Sequence, residues 1–275
     1  FAFDRGRLDV SLHPFTGGGP QDVRITTRYA EEDFFRALMG VLHETGHALY
    51  ELGLPEAWIN QPVGQARGMV LHESQSLLVE MQVCRSDPFL RFAAPVIART
   101  FGRNGEAFTP ANLAAHARRV ARGLIRVDAD EATYPLHIIL RFRLERALLD
   151  RALDVAELPV AWNDTMRELV GVVPPNDAQG CMQDIHWPTG AFGYFPTYTL
   201  GALSAAQLYA AARSADKEIE PAIERGDFAP LLAWLRANVH GHGSRLTTDE
   251  VLRQATGAPL GTTAFKRHLQ QRYLA

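Results

Sequence analysis

Apolar residues at Phe34, Phe35, Leu38, Val41, Leu42, Ala48, Leu49 and Leu52 recur at helical spacing. The spacing predicts a helix over 31–53 with one buried face, and Gly53 followed by Pro55 is its stop signal. Upstream the pattern is different. Leu8, Val10 and Leu12 alternate with polar residues, Thr16–Pro20 is a glycine-rich turn, and Val23 and Ile25 alternate again. Period two on either side of a turn predicts two short antiparallel strands, a β-hairpin within residues 1–29. From residue 30 onward nearly everything is helical in pattern. Further helices are expected over 66–85, 88–102 with a kink at Pro95, 110–123 opened by the cap Thr109-Pro110, 131–153 and 159–170. Gly171–Pro188, rich in Pro, Gly, Asn and Asp, is expected to be irregular. Helices resume over 196–213, 215–225, 228–239, 248–256 and 262–273, the fourth of these opened by the capping box Thr247–Glu250. The fold class is mainly α with a short N-terminal β-hairpin. Neither a repeat nor a linker divides residues 1–275, so one region is expected.

Composition narrows the function classes. At 275 residues, 47% hydrophobic and 21% charged, the chain can bury a substantial core. A formal net charge of −3 gives no general attraction to nucleic acid or acidic membranes. No apolar run approaches the ~18 residues of a membrane span, and the N-terminus FAFDRGRLDV lacks a signal peptide's basic head and apolar middle. It also lacks an initiator Met, as a fragment or a processed product would. Cys84 and Cys181 are the only cysteines, too few for a disulfide framework or a zinc cluster, so a cytoplasmic, reduced protein is the default.

The chemistry concentrates in the first predicted helix. His43, Glu44 and His47 stand in the order H-E-x-x-H. Residues four apart stack on one helical face, so both imidazoles can reach one cation. Glu44, one position after the first ligand, leans to the side where a metal-bound water would sit and is the candidate general base. Gly46, inside the motif, costs about 1 kcal/mol relative to alanine and leaves room for a neighbouring element near the metal. Such a site needs a third protein ligand and one open position. Glu73, in GMVLHESQSLLVEMQV on the next predicted helix, is the candidate, with His72 its competitor because adjacent helical residues point about 100° apart. Two imidazoles and a carboxylate fit Zn²⁺, and Co²⁺ is accepted by the same donors. Glu80, further along that helix, is either an acceptor for a ligand histidine or a solvated charge.

The blocks His13-Pro14-Phe15, DVRIT (22–26), HETGH (43–47), HESQ (72–75), IRVDAD (125–130) and GCMQDIHW (180–187) occur in this order. In these blocks the chain resembles the thermostable carboxypeptidase (carboxypeptidase Taq) family of zinc metallocarboxypeptidases. The resemblance implies a helical zincin-type peptidase with a deep groove, usually a homodimer, that hydrolyses the C-terminal peptide bond of peptides and releases single amino acids. It implies His43, His47 and Glu73 as metal ligands and Glu44 as the base acting on a zinc-bound water. Family members are longer, with the extra length before the HPF block, so the chain is similar to their C-terminal half. The alternative expectation is a truncated, catalytically incomplete metal-binding or peptide-binding module.

A carboxypeptidase must grip a free C-terminal carboxylate, for which the planar fork of arginine is suited. Arg126 is the candidate and resembles the family's arginine in its block; a structural pair with Asp128 or Asp130 is the competing role. Arg24 is second, expected instead to tie its strand to nearby acids. Donors to the developing oxyanion are sought in QDIHWPTGAFGYFPTY, where His186 and Tyr194 are the candidates and Tyr198 is expected to pack. His13 is a substrate-side candidate from the hairpin. His240 and His242 are expected in a surface turn, and His116, His137 and His268 as structural or exposed.

Overall fold

The computed structural model describes residues 1–274. They form two compact units, Phe1–Ala117 together with the chain from Gly201 onward, and Arg118–Leu200. No composition shift marks the division, which falls at the end of one helix and inside another.

The first unit opens with strands β1 (Gly6–Val10), β2 (Thr16–Gly19) and β3 (Asp22–Thr27) in the order β1-β3-β2. The hairpin is therefore β2–β3, with Thr16 opposite Ile25 and Gly19 opposite Asp22. This corrects the expected pairing. The alternating segment around Leu8 runs parallel to β3, and the glycine-rich stretch, expected as a turn, is itself a strand. Glycine hides strands from pattern reading because it contributes no side chain to alternate. Val23 and Ile25 bury one face of β3 against Ala48 and Leu52 of the next helix.

That helix, α1 (Phe34–Leu52), starts where Asp33 accepts a hydrogen bond from the Arg36 backbone N–H at 3.0 Å, and ends at Gly53. It packs beside α2 (Gly68–Leu77), which continues into one wider π-helical segment, Leu78–Val83. A Cβ on Gly46 would lie 2.4 Å from the Gln75 carbonyl oxygen and 2.5 Å from the Ser76 Cα, so the two backbones touch where the motif places its glycine. Around this pair lie α3 (Asp87–Thr100), running through Pro95, α4 (Pro110–Ala117), the later part of α7 (Pro196–Ala215), α8 (Ile219–Glu224), α9 (Ala229–Asn238), α10 (Thr248–Thr256) and α11 (Thr263–Tyr273). One apolar cluster runs through them, from Phe35, Tyr50 and Leu71 to Leu208, Ile223, Leu252 and Phe265. The capping box Thr247–Glu250 forms with both its hydrogen bonds.

The second unit holds α5 (Tyr134–Leu149), α6 (Leu158–Leu169) and the start of α7. Trp162 and Met166 of α6 pack on Leu140 and Leu144 of α5. Residues 170–195 are irregular, the expected stretch Gly171–Pro188 among them. His137 of α5 is fully buried, neither ring nitrogen has a partner among the described residues, and burial followed by the charge of Arg141 pushes its pKa down to about 4.

Two outcomes follow from this packing. Gly46→Ala improves helix propensity by about 1 kcal/mol, but the new methyl meets backbone that cannot swing away. Overpacking of this kind costs about 1–3 kcal/mol, so the variant unfolds at lower urea concentration than the wild type. His137 stays neutral in the folded chain down to about pH 4 while the unfolded chain protonates it near 6.5. Stability it permits at neutral pH is lost as pH falls through that window, by about 1.4 kcal/mol per pH unit. His137→Leu therefore gains on the wild type as urea midpoints are compared from pH 6.5 towards 4.5; equal slopes for the two proteins would contradict the assignment.

Candidate metal centre and carboxylate-binding cluster

His43 and His47 sit one turn apart on α1, and Glu73 comes from α2. His43 Nε2 lies 4.0 Å from Glu73 Oε1 and His47 Nε2 lies 3.7 Å from Glu73 Oε2. One donor atom from each of the three falls within 4.8 Å of the others. The donors fit a divalent cation on a second count, because their outer atoms are already engaged. His43 Nδ1 is 3.1 Å from Glu80 Oε2, and His47 Nδ1 is 3.0 Å from the His72 carbonyl oxygen. Both acceptors favour N–H at Nδ1 and leave the Nε2 lone pairs towards Glu73. Glu80, carried on the π-helical segment, also accepts from Arg85 Nη2 at 2.7 Å, so of its two expected roles it takes the first. Gly201 of α7 lets that helix close over Glu73, since a Cβ there would be 2.8 Å from Glu73 Cγ.

The electrostatics are asymmetric. Burial disfavours a charge on His43, but the Glu80 hydrogen bond and the charges of Glu73, Glu80 and Glu44 prevail and raise its pKa to about 9. His47 is pushed down to about 2, first by burial and then by the charges of His43 and His72. Burial opposes ionisation of Glu80 too, yet its bonds to His43 and Arg85 bring it to about 2. Acids outnumber the histidines here, an environment suited to a cation.

Glu44 is buried, 7% exposed, and its Oε2 accepts a hydrogen bond from Thr16 Oγ1 at 2.5 Å. Thr16 belongs to β2, the strand hidden by its glycines, and sequence reading missed it for that reason. His72 does not compete with Glu73. It turns to the neighbouring face and lies between His47 and Glu51, with Nε2 2.9 Å from Glu51 Oε1. His240 is not in a surface turn: it is 1% exposed, its Nε2 donates to Gln75 Oε1 at 2.9 Å, and its ring faces Tyr50. Burial lowers its pKa to about 3. His242 does remain partly exposed, 3.0 Å from Arg245. The missed signal is Gly53, where a Cβ would strike the His240 ring.

In the second unit, Arg126 precedes α5 in a short 3₁₀ turn. Its side chain pairs with neither Asp128 nor Asp130. Nε and Nη2 both donate to Asp184 Oδ1, at 3.0 and 2.9 Å, and its backbone N–H donates to Gln183 Oε1 at 2.8 Å. The IRVDAD and GCMQDIHW blocks therefore meet in space. Arg141, fully buried on α5, donates to the other Asp184 oxygen at 2.7 Å. Two guanidinium groups share one carboxylate, which leaves the cluster with an excess positive charge. Burial and the neighbouring Arg126 charge lower Arg141 to about 10, against the pull of Asp184, while Asp184 is held below the usual carboxylate range by both arginines despite its burial.

Tyr198 does more than pack. Its ring lies 4.6 Å from the Arg126 guanidinium and its hydroxyl is 3.0 Å from His186 Nε2. The His186 ring sits 5.3 Å from that of Tyr194, and burial together with the Arg126 charge lowers its pKa. Glu145 holds this segment from below, accepting from Trp187 Nε1 at 2.7 Å and from the Gly193 N–H at 2.5 Å. His13, between β1 and β2, is exposed; its carbonyl accepts from Ser11 Oγ, and its ring makes no contact with the metal-type cluster among the described residues. Arg24 pairs with Asp22 on the strand surface at 2.8 Å.

Comparison with known proteins bears out the family resemblance. The chain is 43% identical to thermostable carboxypeptidase 1 of Thermus thermophilus, over 100% of its own length and 54% of the relative's. It is 39% identical to carboxypeptidase 1 of Bacillus subtilis, over 99% and 55%. Among solved structures, Trypanosoma cruzi metallocarboxypeptidase 1 superposes with a TM-score of 0.97 at 48% identity, covering 100% of this chain and 58% of that one. The chain thus spans little more than half the length of these relatives. The family model matching residues 1–273 is that of the carboxypeptidase Taq (M32) metallopeptidases, and the chain belongs to that family.

Proposed function

We propose that the chain is the metal-bearing part of a carboxypeptidase that removes single amino acids from the free C-terminus of peptides. The observation that carries this is the convergence of His43, His47 and Glu73, with Glu44 next to the first ligand on the same helix. Its similarity to carboxypeptidases and a metallocarboxypeptidase supports it. The three side chains hold a divalent cation, zinc by donor type, with cobalt acceptable to the same donors. Such an ion supplies Lewis acidity to water and to the scissile carbonyl. Glu44 takes the proton from the attacking water and returns it to the leaving amine. Thr16 keeps the Glu44 carboxylate in one orientation through its hydrogen bond.

In the second unit, Arg126 recognises the substrate's terminal carboxylate. Its support is the excess positive charge of the Arg126–Asp184–Arg141 cluster and an Nη1 group with no hydrogen bond among the described residues. His186 and Tyr194 are assigned as hydrogen-bond donors towards the carbonyl oxygen, with His13 a further substrate contact. The free cysteines Cys84 and Cys181 accord with a reducing, cytoplasmic setting, and no helix among the described residues is long and apolar enough to cross a membrane. Assembly as a homodimer is part of the same proposal.

Glu44→Gln tests the base. It retains zinc, since the ligands are untouched, while turnover of a short N-blocked peptide falls about 10²–10⁴-fold; substantial turnover in the purified variant would defeat the mechanism. Products of the wild-type reaction are single amino acids, and a chelator abolishes them. Arg126→Lys keeps the charge but loses the fork. It raises KM for peptides with a free C-terminus by about tenfold, the ~1.4 kcal/mol of one weakened charged hydrogen bond.

A further inference from the structure

Glu51, His72 and His47 form a connected row beside the metal-type cluster. His43, His47 and Glu51 succeed one another at four-residue intervals on α1, and His72 of α2 inserts its ring between the last two. His72 Nδ1 lies 2.6 Å from His47 Nδ1, with ring centroids 4.6 Å apart. At that distance one nitrogen carries the hydrogen and the other must be a lone pair. His72 Nε2 faces Glu51 Oε1 at 2.9 Å, and an ionised carboxylate only accepts. A neutral His72 that donates to Glu51 carries its hydrogen on Nε2, which leaves its Nδ1 as the lone pair. The shared hydrogen belongs to His47 Nδ1, which also has the His72 carbonyl oxygen at 3.0 Å.

We infer that Glu51 is a positioning residue for the metal centre: acting through His72, it fixes His47 as the Nδ1–H tautomer and so keeps the His47 Nε2 lone pair available to the cation. This rests on the proposed metal site and extends it. The carbonyl acceptor at His72 favours the same tautomer, but it cannot stop His72 from turning an N–H towards His47. In that tautomer two N–H groups would oppose each other at 2.6 Å, and the His47 ring would be driven off its bearing. Glu51 removes that alternative. Carboxylates that orient ligand histidines directly are a general device, and their loss costs about 10–100-fold in metal affinity. Here a second imidazole carries the effect from a carboxylate that does not reach the ligand.

The test uses the metal-free chain and its zinc titration, with no assay of hydrolysis. Long-range ¹H–¹⁵N spectra of the imidazoles in the wild type are expected to show Nδ1–H on His47 and Nε2–H on His72. Glu51→Leu, which removes the acceptor, binds zinc about 10–100-fold more weakly in competition with a chelating dye, and its His72 populates Nδ1–H. Glu51→Gln keeps an acceptor oxygen and stays within about threefold of the wild type, a rescue on the scale of a ~0.7 kcal/mol change. Wild-type affinity in Glu51→Leu overturns the inference, as does a Gln variant as weak as the Leu variant. The wild-type tautomers test it even where Glu51→Leu fails to fold, because His72 found with Nδ1–H contradicts it outright. A wild-type chain that binds no zinc but shows the expected tautomers overturns the metal-site proposal, and the positioning role with it. Zinc binding with the opposite tautomers overturns the positioning role alone.

Discussion

The contact of two helix backbones at Gly46 is the constraint on which the centre depends. Imidazoles on α1 and a carboxylate on α2 have short reach, and a cation demands donor atoms a few ångströms apart. Only if the helices approach to backbone contact can Glu73 meet His43 and His47 with relaxed side chains. Gly46 permits that approach on one side of α2, and Gly201 of α7 permits another on the side of Glu73. The absence of two side chains thus does as much for the site as the presence of three. It also explains why α2 is buried nearly all round, with Leu71, Glu73, Ser74, Gln75, Ser76 and Leu77 all inaccessible. Its serines satisfy themselves by donating to carbonyls one turn back, Ser74 to Leu71 and Ser76 to Glu73.

The two units carry clusters of opposite sign. Around His43 and His47 stand Glu44, Glu73 and Glu80, while around Asp184 stand Arg126 and Arg141. Each is buried enough for its imbalance to matter, because charge in a low-dielectric setting is weakly screened. A cation is the natural partner of the first and an anion of the second. The proposal of a metal for one and a substrate carboxylate for the other rests on this polarity, as well as on the motifs.

Most of this was legible in the chain itself. Helix ends carried by capping chemistry, such as Thr247–Glu250, fall where the sequence puts them. The metal-type triad was legible because helical periodicity fixes which residues share a face, and the motif names them. Elsewhere the information is not local. β2 has too few side chains to announce a strand, so the Thr16–Glu44 bond could not be anticipated. His72 could be recognised as pointing away from Glu73, but its seat between His47 and Glu51 depends on the azimuth of α2 against α1. His240 has polar and glycine neighbours, as a surface residue would, and its burial is decided by Gly53 and Gln75 far upstream. The partner of Arg126 is equally remote: neither nearby aspartate but Asp184, reached through an irregular segment.

The order of the chain gives one of these remote contacts a temporal meaning. His43, His47 and Glu73 all precede it in the chain, yet the ring that packs on Tyr50 and binds Gln75 belongs to His240. The donors are thus translated before the residue that fills the space beside Gln75 and Tyr50, and a chain stopped short of His240 would leave that space without its ring.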